Sequence, residues 1–494
     1  MSYTSFGYLF LFLPLVWVLW AVLPRRGRPA VLLTASLLFY WISSGRYLIW
    51  MLAAAGVTWL TGLLLGRLDT LSATTRPELS PAGRKTFKKQ LTGAKRLAVG
   101  GGAAVLLGVF LWLKYWPFAA RSIAALLDRM PGALSLTVPS YVLPLGISFV
   151  TLMAVGYLVD VYRGSCRPAA HYWQVLSFLC FWPHVVEGPF DRWDSLSGPL
   201  LDPPRPSYKN LTFGVQRVVW GLFKKMVIAD RANMYVKAVF DDYTQYSGLA
   251  VVVGTLLYTL QLYAEFSGCM DIVLGSAECF GIPLAENFRQ PFFSRTVGEF
   301  WRRWHITLGA WFKRYLYFPL GGSRCSTART CFNLFVVFLC TGIWHGAAWQ
   351  FVAFGVWHGL WSCAERLGLA RLLDRLPRWV SHLYFVAVGW VGFVLFGAPS
   401  LRQALAELAG IFTWQAGDPG MTVTAFFGLR EALLLLAAVA LCGPVQMLAP
   451  RFRSWLWDRK PPRPLGTAVL LVLLFGSIVL VTAGNYQGFI YAQF

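Results

Sequence analysis

This chain of 494 residues is short of charge. Asp, Glu, Lys and Arg make up 13% of it, against about 25% in an ordinary soluble protein. Acids are the scarcer sign: 22 Asp and Glu stand against 44 Lys and Arg. Hydrophobic residues make up 57%, which at this length means many membrane spans rather than one anchor. A net charge of +22 is also what a nucleic-acid binder carries. Here, however, the cations sit in short stretches between apolar runs, as they do in cytoplasmic loops, where they also face anionic headgroups. Nucleic acid is therefore set aside as a partner.

Other absences narrow the chemistry. The nine cysteines form no C-x-x-C pair and most lie in apolar runs. They read as small buried hydrophobes, with neither a disulfide framework nor a zinc site. No H-E-x-x-H, P-loop, G-x-S-x-G or Rossmann fingerprint is present, which argues against metal hydrolysis, nucleotide hydrolysis and a serine nucleophile. There is no internal repeat, low-complexity tract or soluble domain. The opening "MSYTSFG" lacks the positive charge of a signal peptide, and Arg25, Arg26 and Arg28 follow the first apolar run instead. That run reads as a retained span with its N-terminus outside.

What is present is a series of apolar runs near 6–24, 30–50, 50–66, 97–118, 139–161, 210–230, 247–275, 331–350, 351–368, 379–397, 424–448 and 465–484. They predict an all-α polytopic membrane protein of 11–13 transmembrane helices. Two stretches do not fit a simple span. Residues 171–193 hold "FWPHVVEGPFDRW" and predict a broken or re-entrant helix. Residues 297–320 hold "WRRWH" and "WFKR", too many cations for a span, and predict a re-entrant or interfacial element. The stretch 67–96 has eight cations (Arg67, Arg76, Arg84, Lys85, Lys88, Lys89, Lys95, Arg96) against Asp69 and Glu78 and reads as a cytoplasmic loop. The basic 450–464 reads likewise, which sends the last span outward and leaves both termini outside.

A few polar residues remain in apolar surroundings, where they are costly unless used or satisfied. His345 lies in "TGIWHGAAW". One reading is a histidine hydrogen-bonded between helices, with Gly342 and Gly346 as a G-x-x-x-G packing motif. The other is a general base, since an imidazole accepts a proton near neutral pH. His305 lies in "EFWRRWHITLGAWFKRYLYFPLGG". Around it Arg302, Arg303, Lys313 and Arg314 suit an anionic donor such as the phosphates of coenzyme A, or else snorkel to lipid phosphates. Glu265, Asp271, His184 and Glu187 read as structurally paired groups.

The stretches "PLGISF" (144–149), "VDVYRG" (159–164), "ENFRQPFFSRTVGEFWRRWHITLGAWFKRYLYFPLGG" (286–322) and "TGIWHGAAW" (341–349) resemble the membrane-bound O-acyltransferase family, in its alginate O-acetyltransferase, polysaccharide-acetylating branch. The branch's "DFSGY" is here "EFSGC" at 265–269. The resemblance implies a single membrane-embedded acyltransferase domain over 1–494, with a catalytic core at 139–368 and helices around a central histidine-containing tunnel. It implies His345 as the catalytic histidine and His305 as the second. It implies acetyl transfer from a cytoplasmic thioester, with acetyl-CoA as donor and no permanently bound cofactor, across a bacterial inner membrane. A periplasmic acetyltransferase partner would pass the acetyl to an exopolysaccharide. Two rivals stay open: a D-alanyl or other acyl transferase served by a carrier protein, and a non-enzymatic transporter or flippase, which the lack of a repeat weakens.

The tail at 485–494 ends in "FIYAQF", which resembles the F-I-Y-F-x-F ending of the same branch, with Ala492 in place of an aromatic. The resemblance implies that Tyr491 carries the acyl group; the other reading is an interfacial aromatic anchor. Tyr491→Phe keeps the ring and removes only the nucleophile. Polymer acetylation is expected to disappear in this variant at unchanged membrane insertion; full activity would leave the tail an anchor.

Overall fold

The computed structural model describes residues 1–130, 136–413, 417–418, 420–422, 428–450, 454 and 464–483. The tail at 485–494, with Tyr491, lies outside the described residues. Among those described there is no β-strand. The chain forms two compact units, Met1–Pro206 with Phe280–Leu284, and Ser207–Cys279 with Ala285–Phe494.

The first unit holds α1 (Leu13–Val22), α2 (Arg28–Ser44), α3 (Leu48–Thr75), α4 (Pro81–Leu127), α5 (Ile147–Tyr162), α6 (Tyr172–Cys180) and α7 (Trp193–Leu201). Pro29 opens α2 and Gly45, at φ +52°, ends it, as each residue's backbone preference favours. The basic stretch at 67–96 differs from the loop that its charge suggested. It is largely helical: α3 runs on to Thr75, and Ser80 caps α4 by accepting from the Gly83 N–H at 3.3 Å. Lys, Arg, Gln, Leu and Ala are good helix formers, and charge reports the compartment rather than the backbone. Lys95 pairs with Asp69 across this hairpin. At 171–193 the expected break is present. α6 stops at Cys180, and the turn that follows packs Val185 O onto Gly146, where any Cβ would lie 2.0 Å from that oxygen. His184 Nε2 is 2.7 Å from Phe178 O, a structural role.

The second unit holds α8 (Tyr208–Phe223), α9 (Asp230–Asp241), α10 (Gly248–Cys279), α11 (Val297–Trp301), α12 (Ile306–Phe312), α13 (Thr327–His345), α14 (Trp349–Ala364), α15 (Ala370–Arg375), α16 (Arg378–Gly397) and α17 (Leu401–Thr413), then helices at Leu429–Cys442, Pro444–Leu448 and Pro464–Ala483. α8 and α10 meet along glycines spaced by seven. A Cβ on Gly221 would lie 2.5 Å from Gly268 O, and one on Gly214 2.6 Å from Gly275 O. Small residues at this seam let the backbones approach. A π turn at Lys224–Ala229 joins α8 to α9 and points two successive lysines inward. Stretch 297–320 is no through-helix: α11 and α12 are short and meet at His305.

Among the described residues, five helical stretches are long and apolar enough to cross a membrane: Arg25–Glu78, Pro81–Leu127, Gly248–Cys279, Thr327–His345 and Arg378–Gly397. Four shorter apolar helices accompany them at Gly7–Val22, Ile147–Tyr162, Leu435–Leu448 and Gly466–Val479. The protein is an all-α polytopic membrane protein.

Several of its buried charges are paired. Arg217 Nε donates to Asp271 Oδ1 at 3.0 Å, and its two terminal nitrogens grip both oxygens of Glu286 at 2.6 Å. Lys224 lies 2.5 Å from the other Asp271 oxygen, and Lys225 bridges Glu265 at 3.1 Å and Asp230 at 2.8 Å. Removing one partner of such a group leaves an uncompensated charge, at about 3–5 kcal/mol. Asp271→Asn is therefore expected to lower the unfolding temperature of the detergent-solubilised protein by several degrees, and Glu299→Gln, at a partly exposed pair, by much less. Equal shifts would show that the buried cluster contributes no special stability.

Candidate acyl-transfer site

His305 and His345 are 40 positions apart in the chain, yet their ring centroids lie 6.3 Å apart at an interplanar angle of 51°. Both are buried, at 1% and 4% exposure.

His345 is the last residue of α13. The packing reading of Gly342 and Gly346 holds as well as the chemical one. A Cβ on Gly342 would sit 2.3 Å from Phe351 O and 2.8 Å from Gly355 Cα, and one on Gly346 2.1 Å from the Phe351 ring. Those contacts fold α14 tightly back on α13 and turn His345 inward. His305 is held at φ 47°, ψ 50°, a left-handed conformation that few residues other than glycine adopt. It persists because its neighbours fix it. Ile306 N–H donates to Asn287 O at 3.0 Å, and Gly309 N–H donates to His305 O at 3.1 Å as α12 begins.

Aromatic rings surround the pair. Trp344 lies 5.0 Å from His345 and 6.0 Å from His305, Phe396 and Phe354 lie 5.2 Å and 6.0 Å from His345, and Phe266 lies 4.9 Å from His305. Depth follows from α14. Val297 and Gly298 N–H groups donate to the Glu365 carboxylate at 2.5 Å and 2.9 Å, so α11 starts level with the end of α14. Phe354 is 11 residues before Glu365 and 5 after Trp349. At 1.5 Å per residue, the histidine pair lies about 16 Å from the Glu365 end of α14 and about 8 Å from the Trp349 end.

The four cations expected to hold a donor divide. Arg303 is part of the scaffold, donating to Glu299 at 2.6 Å and to Gln290 O at 3.5 Å. Arg302 is exposed, Lys313 lies 5.7 Å over the Phe318 ring, and Arg314 lies 5.8 Å over Tyr315. Among the described residues no group of three His, Cys, Asp or Glu is arranged to hold a metal.

Comparisons with known proteins give the family. The family model described as MBOAT, membrane-bound O-acyltransferase family, matches residues 170–398, a range that contains both histidines. Over 100% of both chains, this protein is 33% identical to the probable alginate O-acetylase AlgI of Pseudomonas putida. The chain belongs to the membrane-bound O-acyltransferase family. It is an O-acyltransferase and a multi-pass membrane protein. Two relatives named for other acceptors share less of its length. The peptidoglycan O-acetyltransferase of Helicobacter pylori is 32% identical over 55% of this chain and 57% of its own. The teichoic acid D-alanyltransferase of Bacillus subtilis is 26% identical over 44% and 57%.

Sequence reasoning missed three residues that hold this candidate site. Asn287 lies in the matched motif but bears no charge to draw the eye, and it binds His305. Arg217, on α8, fixes Glu286 beside it. His358 sits in a second W-H-G, at 357–359, with its ring 4.7 Å from Phe354 and its Nδ1 3.4 Å from Trp301 Nε1, from which it accepts. It props the W-R-R-W-H segment from behind.

Proposed function

We propose that this O-acyltransferase moves an acetyl group from a cytoplasmic thioester, acetyl-CoA, across the bacterial inner membrane for O-acetylation of an exopolysaccharide. The observation that carries this reading is the buried pair of histidines, in a chain 33% identical end to end to an alginate O-acetylase. The peptidoglycan-acetylating relative supports a polysaccharide acceptor.

The chemistry follows from the groups present. His345 takes the proton of an attacking hydroxyl, whose oxygen adds to the thioester carbonyl. The tetrahedral adduct collapses, the C–S bond breaks, and the departing thiolate takes the proton back from the imidazolium. An apolar, water-poor surround strengthens these polar contacts and protects the thioester from hydrolysis. Tyr491 is the proposed first acceptor, giving an ester intermediate, and a periplasmic partner then transfers the acetyl onward. The 365–378 stretch carries Arg366, Arg371, Arg375 and Arg378, which by the charge rule marks the cytoplasmic side. The histidines then lie nearer the outer face, and the donor's long pantetheine arm enters from the cytoplasm past Arg302, Lys313 and Arg314. Both termini lie outside. The D-alanylating relative supports a D-alanyl transferase as the second reading, which we take to be served by a carrier protein, and acetyl-CoA alone supporting turnover separates the two. Family membership removes the transporter reading.

His345→Ala is expected to lower acyl transfer by about 10²–10⁴-fold, the usual weight of a general base, at equal membrane abundance. His305→Ala is expected to cost less, because His305 orients rather than deprotonates. Membranes carrying each variant, supplied with labelled acetyl-CoA and scored for polymer acetylation, check the order. Near-normal transfer in His345→Ala would return that residue to a packing role.

A further inference from the structure

Asn287 is 1% exposed and makes more contacts to the His305 region than any size argument requires. Its side-chain oxygen lies 3.0 Å from Thr307 N, 3.0 Å from Thr307 Oγ1 and 3.3 Å from His305 Nδ1. Its side-chain nitrogen points the other way and donates to Met270 Sδ at 3.4 Å.

An amide side chain has one accepting and one donating end, and its orientation must be inferred from the partners. Here the partners decide it. A backbone N–H only donates, so the end facing Thr307 N is the oxygen. A thioether only accepts, so the end facing Met270 is the nitrogen. The atom facing His305 Nδ1 is therefore an acceptor, and Nδ1 must carry the hydrogen. The proton of a neutral imidazole is then on Nδ1, and the lone pair is on Nε2.

We propose that Asn287 is a positioning residue that fixes His305 as the Nδ1–H tautomer, with Nε2 as the acceptor turned to the acyl-transfer reaction. This rests on the reading of His305 given above. Asn287 also steadies the main chain that carries the ring, because its own backbone oxygen accepts from Ile306 N–H at 3.0 Å. The Nδ1 bond sets the tautomer and the backbone bond sets the position of the main chain, and this preorganisation is what a second partner of a reacting histidine supplies. Glu286, one residue earlier, is gripped by Arg217, so the segment that presents the amide is itself fixed.

The test uses the full-length protein in nanodiscs with ¹⁵N-labelled histidine, the His305 signals being assigned by their loss in His305→Gln. The wild type is expected to show a protonated Nδ1 and a bare Nε2 on His305. Asn287→Asp keeps an acceptor toward both Thr307 and His305, so the tautomer is retained and kcat falls by no more than about tenfold. Asn287→Leu keeps the volume and removes the acceptor, so the tautomer becomes mixed and kcat falls by about 10²-fold while KM for the donor changes little. Thr307→Val leaves the backbone N–H in place, so the amide stays oriented and kcat stays within about fivefold. A wild-type His305 protonated on Nε2 would overturn the assignment whatever the activity. Equal loss in the Leu and Asp variants with the tautomer unchanged would also overturn it, leaving Asn287 a packing residue. A tautomer that switches in Asn287→Leu with kcat unchanged would uphold the positioning and overturn the use of His305 in acyl transfer.

Discussion

One buried guanidinium organises the unit that holds the candidate histidine site. Arg217 sits on α8, reaches Asp271 on α10, and holds both oxygens of Glu286. A bidentate pair of this kind fixes geometry as well as charge. Glu286 leads directly into Asn287, and Asn287 holds His305. Asp271 is shared with Lys224, so the same carboxylate also anchors the π turn between α8 and α9. Ion pairs away from water contribute little net stability but penalise any rearrangement that separates them. That penalty helps keep a strained, left-handed histidine in place.

The second histidine is held by a different force. His345 is fixed by close packing of α13 on α14 through Gly342 and Gly346, and by the rings of Trp344, Phe354 and Phe396. No side chain larger than glycine fits those contacts. The site therefore joins a polar scaffold, which orients His305 by hydrogen bonds, to an apolar one, which orients His345 by shape. His358 links the two from behind, since its ring meets both Phe354 and Trp301. The aromatic surround makes the region apolar, which suits an acyl transfer that must exclude hydrolysis.

Much of this was legible in the residues. Hydrophobic runs located the helices of the second unit closely, because a span of apolar residues has few alternatives in lipid. The cation-rich 297–320 was marked as no simple span, and it forms two short helices turning at His305. Glu265 and Asp271 were read as paired, but their partners Arg217, Lys224 and Lys225 lie 40 or more positions away and no local pattern names them. The charged 67–96 read as a loop and folded as a helical hairpin, because polarity reports exposure and not backbone conformation. Two W-H-G triplets occur, and their chemistry is the same on paper. Only packing separates His345, which faces His305, from His358, which stands behind Phe354. Asn287 was invisible for a related reason: an amide gains its meaning from the donors that surround it.

The central claim is that His305 and His345 act as one site. A double-mutant cycle on acetyl transfer measures this directly, comparing His305→Ala, His345→Ala and the double variant in nanodiscs at saturating donor. Residues that serve one transition state are strongly non-additive. The account predicts a double variant no more than a few-fold slower than the worse single variant. Rate losses that multiply would contradict it, showing two histidines that contribute independently.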